Sequence, residues 1–277
     1  MENNYGDIWT NQVPVNYNYG TIGIGNPNWH QDAYNGADAE IIENKESGVI
    51  GVNAANIGTN SGLIKTHGRN TIDTNNGTVN LVVENGTVTL NNNKIDTNQG
   101  TLETNGENGT VNANAGKVQT NKGIVENNNT KGTVALNQKV IEENEGTVTN
   151  NAGSVEANKA KGVVETNAAE GTVIRNTEGG KVTTNNGTVT SNNEGAEVTT
   201  NNGLIFDSEG VVGTNNKTVG SNISTGTVNT NGKDGTVNSN SGTVIMNNGT
   251  VTENISGGVV QTNAAGAKVQ VNEKKPA

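Results

Sequence analysis

Single apolar residues recur along the chain at steps of seven or nine, with one step of eight, and almost everything between them is polar. Taken as centres, they run from Ile41 through Ile50, Val79, Val111, Val148, Val189 and Val228 to Val269, making 30 units. Asn stands three after the centre in 27 of the 30; the exceptions are His67, Val82 and Ser208. Gly usually stands two before it, as at Gly77, Gly86, Gly187 and Gly249. Seven and nine differ by two, the side-chain period of a strand, so an insertion of that size keeps side chains on their faces. Asn, Gly and Thr are poor helix formers and no 3.6-residue period appears, so the pattern predicts strands.

In this reading the Val points inward with its two neighbours outward, and Asn-Gly or Asn-Asn-Gly turns the corner because both residues tolerate positive φ. An antiparallel meander also uses Asn-Gly turns, but one Val per strand buries one weak face and needs a partner sheet. Stacked parallel turns solve that problem. Sums of three successive steps lie between 22 and 25, whereas sums of two run from 14 to 18. The steadier sum predicts an all-β fold: a single-chain, three-sided parallel β-solenoid of about 23 residues per turn and about ten turns. The Asn one turn apart in that count form an expected ladder: Asn98, Asn121, Asn144, Asn167, Asn192, Asn215, Asn240 and Asn263.

Three segments are expected: an arm over residues 1–40, the solenoid over 41–272 and a short charged tail over 273–277. The arm reads as non-repetitive and holds both Trp and all four Tyr. Tyr5, Trp9, Tyr17, Tyr19, Trp29 and Tyr34 are therefore expected to cap the solenoid, to anchor a subunit interface, or both. The tail is too short to cover a solenoid end, and an open last turn invites further strands.

Composition resembles that of disordered chains, with 3% aromatics and 38 Gly, and only the strict period argues for order. The net charge of −10 argues against nucleic acid or an anionic membrane as partner. No apolar run is long enough to span a bilayer, so no membrane insertion is expected. No Cys means no disulfide and no thiolate site. No signal peptide is visible, so a place outside the cell, on a spore or on a virion requires another route, such as lysis or assembly on the surface.

Candidate chemistry is sparse. Corners vary by about two residues, too little to wall a pocket, so no enzyme, catalytic residue or cofactor is expected. His30 and His67 lack partners at ligand spacing. Asp73, Asp96, Glu142 and Glu165 share one outward column and form the one weak metal candidate; a solvated face relieved by Lys94 and Lys117 is the plainer reading. Asn-Gly-Thr glycosylation patterns at Asn76, Asn85, Asn186 and Asn248 are by-products of the repeat. Thr-Val-Thr at Thr87, Thr147, Thr188 and Thr250 suggests ice binding, but by the three-fold count these do not form one row.

The Asn-Gly-Thr-Val-x-x-Asn units over about residues 41–272 resemble the short-repeat β-solenoids of bacterial surface appendages, adhesins and phage tail fibres. The resemblance implies an architecture and carries over no functional residue. The expected function is a non-catalytic subunit that self-assembles head to tail into an extracellular or spore-surface fibre. A trimeric phage tail fibre or spike shaft, an adhesin binding a surface glycan and an ice-binding protein are the alternatives.

Overall fold

The computed structural model describes residues 1–8, 11, 13–22, 40–53, 56–68 and 70–273. It contains two compact units, Met1–Ala135 and Leu136–Ala277. Thirty strands of five residues each, β5 (Glu40–Asn44) to β34 (Lys268–Asn272), make about 15 turns of a parallel β-solenoid, and no helix occurs among the described residues.

Each turn holds two strands. Within the first unit every strand bonds in parallel to the strand two further along. Odd strands thus build one sheet, as in Ile57↔Ile72 and Ile72↔Val88, and even strands the other, as in Ile64↔Val79 and Val79↔Ile95. The second unit repeats this, with Val182↔Val198 in one sheet and Val189↔Ile205 in the other. The three-sided section, the 23-residue turn and the ten-turn count are therefore corrected. Equivalent residues in adjacent turns are 14, 16 or 18 apart in most cases.

The reason lies in the corners. All 30 strands have five residues, so a seven-residue unit has a two-residue corner and a nine-residue unit a corner of four. The corner absorbs the difference outside the sheet, and constancy of residues per turn carries no physical weight. Strand pairing decides instead: each strand bonds to the strand two further along, and the interior Val and Ile centres of both sheets are fully buried.

The strands depart from simple alternation. Position two, the Val or Ile centre, and position five, the Asn, are both buried, while position three faces solvent. Aligned residues between turns include positions one, two, four and five and skip position three. The strand therefore bends at its middle and brings a second, polar residue into the core. In Thr188–Asn192, for example, Val189 is 0% exposed and Asn192 only 1%. Burying one Val contributes roughly 1.5–3 kcal/mol, so no turn is stable alone and stability accumulates by stacking.

Corner glycines answer to crowding more than to φ. A Cβ on Gly203 would lie 2.1 Å from the carbonyl oxygen of Gly187 in the turn below. Among the described residues, positive φ occurs only at Lys161, Gly179, Gly195, Gly257 and Gly266. The expectation that corners run on positive φ is corrected to that extent.

The described residues of the N-terminal arm join the same two sheets. β1 (Asn3–Asn4) pairs with β3 (Val15–Asn18), which pairs with β5; β2 (Asp7–Ile8) pairs with β4 (Thr21–Ile22), which pairs with β6 (Val49–Asn53). Val15 and Ile22 are fully buried.

Candidate functional site

The ladder is the most extensive array of polar side chains. In the odd sheet of the first unit it runs Asn4, Asn18, Asn44, Asn60, Asn75, Asn91, Asn105, Asn121, each Nδ2 donating to the next Oδ1 at 2.7–2.8 Å. The second unit holds the matching run from Asn137 to Asn263. The second Nδ2 hydrogen commonly reaches a corner or strand carbonyl, as from Asn167 to Thr188 at 3.0 Å. Donation along these runs goes from the earlier turn to the later, so the ladder has a direction.

The expected ladder set is corrected. Asn98, Asn144, Asn192 and Asn240 lie in the even sheet, whereas Asn121, Asn167, Asn215 and Asn263 lie in the odd one. There are two ladders, and the predicted residues alternate between them.

The three units without Asn all fall in the even sheet. Asn53 Nδ2 donates to His67 Nδ1 at 2.9 Å, which leaves the ring proton on Nε2, 2.7 Å from the Asn70 carbonyl oxygen. Burial holds the His67 pKa below the usual histidine range, against the hydrogen bonds to the Asn70 and Thr87 carbonyls. With its one N–H used at the corner, His67 has nothing to donate to the next rung, and that rung is Val82. Val82 in turn cannot donate to Asn98. Ser208 accepts from Asn192 at 3.2 Å and spends its single proton on the Gly210 carbonyl. The two buried side-chain atoms left without a partner among the described residues are Asn98 Oδ1 and Asn222 Oδ1, one turn after Val82 and Ser208. Each ladder fault leaves its orphan on the next rung.

The acidic column does not assemble as expected. Asp73 lies in the odd sheet and Asp96 in the even sheet; Glu142 lies in the even sheet and Glu165 in the odd. Asp96 pairs with Lys94 at 2.8 Å and accepts from Asn112 at 2.9 Å. The hydrogen bond to Asp96 raises the Lys94 pKa. Among the described residues no group of three His, Asp or Glu side chains is placed to hold a metal ion.

The four Thr-Val-Thr segments divide between the sheets, and Thr188 is flanked by Thr172 and Leu204. A different row emerges at position four: Thr166, Thr184, Thr200, Thr214 and Thr230 are neighbours in five successive turns of the second unit. A three-fold count scatters these Thr, which is why the sequence reading missed them.

Of the arm's aromatic residues, Trp9, Trp29 and Tyr34 lie outside the described residues, as does His30. Tyr5 stacks on Tyr19 with centroids 4.8 Å apart, and Lys45 Nζ sits 4.9 Å from the Tyr17 ring centroid. Lys45 also pairs with Glu43, and that hydrogen bond raises its pKa. Tyr19, Glu43, Lys45, Glu46, Ser47 and Ser61 line an open depression of about 410 Å³.

The last described turn differs from the interior. Asn263 and Asn272 are exposed and Val260 and Val269 half-buried, whereas Asn231, Asn240, Val228 and Val237 are fully buried. No family model, no curated protein and no solved structure matches the chain.

Proposed function

We propose that the protein is a non-catalytic structural subunit that assembles with copies of itself into a fibre outside the cell or on a spore surface. The observation that supports this reading is the uniform stack itself: the same Val or Ile and Asn positions recur turn after turn in both sheets of each unit. Each interior turn places its Val or Ile and its Asn between like turns, where they are fully buried. A stack of this kind grows by adding strands to an unpaired edge. Negative-stain electron microscopy of the purified chain at micromolar concentration tests it. Long uniform filaments are expected; discrete particles at every concentration would overturn it.

The Thr column from Thr166 to Thr230 favours a second reading, a face that binds a periodic ligand such as a surface glycan or ice. One Thr per turn repeats at about 4.8 Å. Retention on an insoluble polysaccharide or ice, lost on T200K/T214K substitution, is the outcome that supports it.

A further inference from the structure

We infer that the open depression beside Tyr19 is a binding site for a neutral sugar, with one face of the pyranose ring laid on the tyrosine. The inference is independent of the fibre reading and of the Thr column.

Tyrosines gather here, outside the core. Of the four described aromatic residues, Tyr5, Tyr17 and Tyr19 lie together in the first unit, exposed or half-buried. Tyr5 and Tyr19 are the first corner residues after the ladder Asn of the odd sheet. The column continues through Lys45, Ser61 and Asn76, each donating its backbone N–H to the ladder carbonyl one turn earlier, as from Tyr19 to Asn4 at 2.8 Å and from Ser61 to Asn44 at 2.7 Å. Further along it holds Asn, Gly, Lys, Gln or Ala, so the repeat itself does not call for an aromatic ring at this place.

Two features open the column between Tyr19 and Ser61. The Lys45 ammonium is held against the Tyr17 ring and the Glu43 carboxylate, both at position four of their strands. Ser61 is small. One turn beyond it the column closes again, where Asn92 donates to Asn76 at 3.0 Å. Tyr5 stacks on Tyr19 from the earlier turn and does not line the depression, so the Tyr19 face toward the later turns is the open one. Ser47 Oγ donates to the Tyr19 carbonyl at 2.9 Å and ties the next corner to it.

The ligand class follows from the lining. A pyranose has an apolar C–H face, which suits the negative face of an aromatic ring, and a rim of hydroxyls. Glu43, Glu46, Ser47 and Ser61 offer that rim acceptors and hydroxyls. A flat aromatic ligand would leave those groups without partners, at a cost. Lys45 offsets Glu43, and Glu46 leaves the site negative, which disfavours an anionic sugar. The volume of about 410 Å³ lies within the range of small-ligand sites. The Tyr5 ring behind Tyr19 holds the platform in place before a ligand arrives.

Saturation-transfer NMR on the full chain tests the site, with the methyl glycosides of glucose, galactose and N-acetylglucosamine as probes and methyl glucuronide as the anionic comparison. Transfer to the C–H protons of at least one neutral glycoside is expected, and weaker transfer to the glucuronide. Y19A should raise Kd about ten-fold, whereas Y19F keeps the ring and should stay within about two-fold. S61R fills the depression and leaves the tyrosine stack alone. It should abolish binding while the thermal midpoint holds, which separates loss of the site from loss of the first turns. No transfer to any neutral glycoside would overturn the proposal. Transfer that survives both Y19A and S61R would do the same, as would a glucuronide that binds as tightly as the glucoside.

Discussion

His67 shows how one residue can enter a repeat by copying its hydrogen bonds. Asn offers the ladder an acceptor facing the earlier turn and a donor facing a corner carbonyl. Neutral imidazole with its proton on Nε2 offers both at nearly the same places. Protonation at Nδ1 would set N–H against N–H, and burial already disfavours the charged ring. The folded pKa is lowered, so the unfolded chain takes up the proton first, near the ordinary value of about 6.5. The contribution is therefore full above that pH and declines as pH falls toward the lowered folded value. Urea unfolding midpoints between pH 7.5 and 5.5 should fall with pH in the parent, and H67N should flatten the profile.

Along the sheets, the ladder behaves as a directed chain in which each rung needs the one before it. S208N supplies the missing donor to Asn222 Oδ1 while keeping the bond from Asn192. It should stabilise by about 1 kcal/mol, read as a higher denaturation midpoint. V82N supplies a donor to Asn98 but brings an oxygen that His67 cannot serve, so alone it moves the orphan rather than removing it. H67N alone points an N–H at Val82 and should cost about 1–3 kcal/mol. H67N and V82N together restore an unbroken amide run from Asn53 to Asn98. The double variant should be more stable than the sum of the singles allows, a coupling that a double-mutant cycle measures.

In the molecule as a whole, each turn touches only its neighbours, so protection should follow position in the stack. Amide hydrogen exchange is expected to be faster over 259–272, whose residues are exposed or half-buried, than in the interior of each unit. In assembled filaments the 259–272 amides should slow toward interior rates. Unchanged exchange there would mean that assembly does not cover these residues.

Much of this architecture is legible in the chain. Val at seven- and nine-residue steps dictates strands, and Asn three residues on marks the ladder, because a buried amide is satisfied most readily by its own copy in the next turn. The first turns are legible too: Met1, Ile8, Val15 and Ile22 stand at steps of seven, with Asn4, Asn11 and Asn18 three after the first three. The aromatic residues between them disguise that phase as a separate arm. The order of residues thus dictates the unit: a five-residue strand, a corner of two or four, and the residues facing inward. How many units close a turn is settled only in three dimensions. Corner length is free to vary outside the sheets, so the residue count per turn does not fix the number of sides, and only the pairing of each strand with the strand two further along shows that two strands close a turn. That closure places the ladder residues in two sheets, separates the acidic residues, and gathers the Thr column.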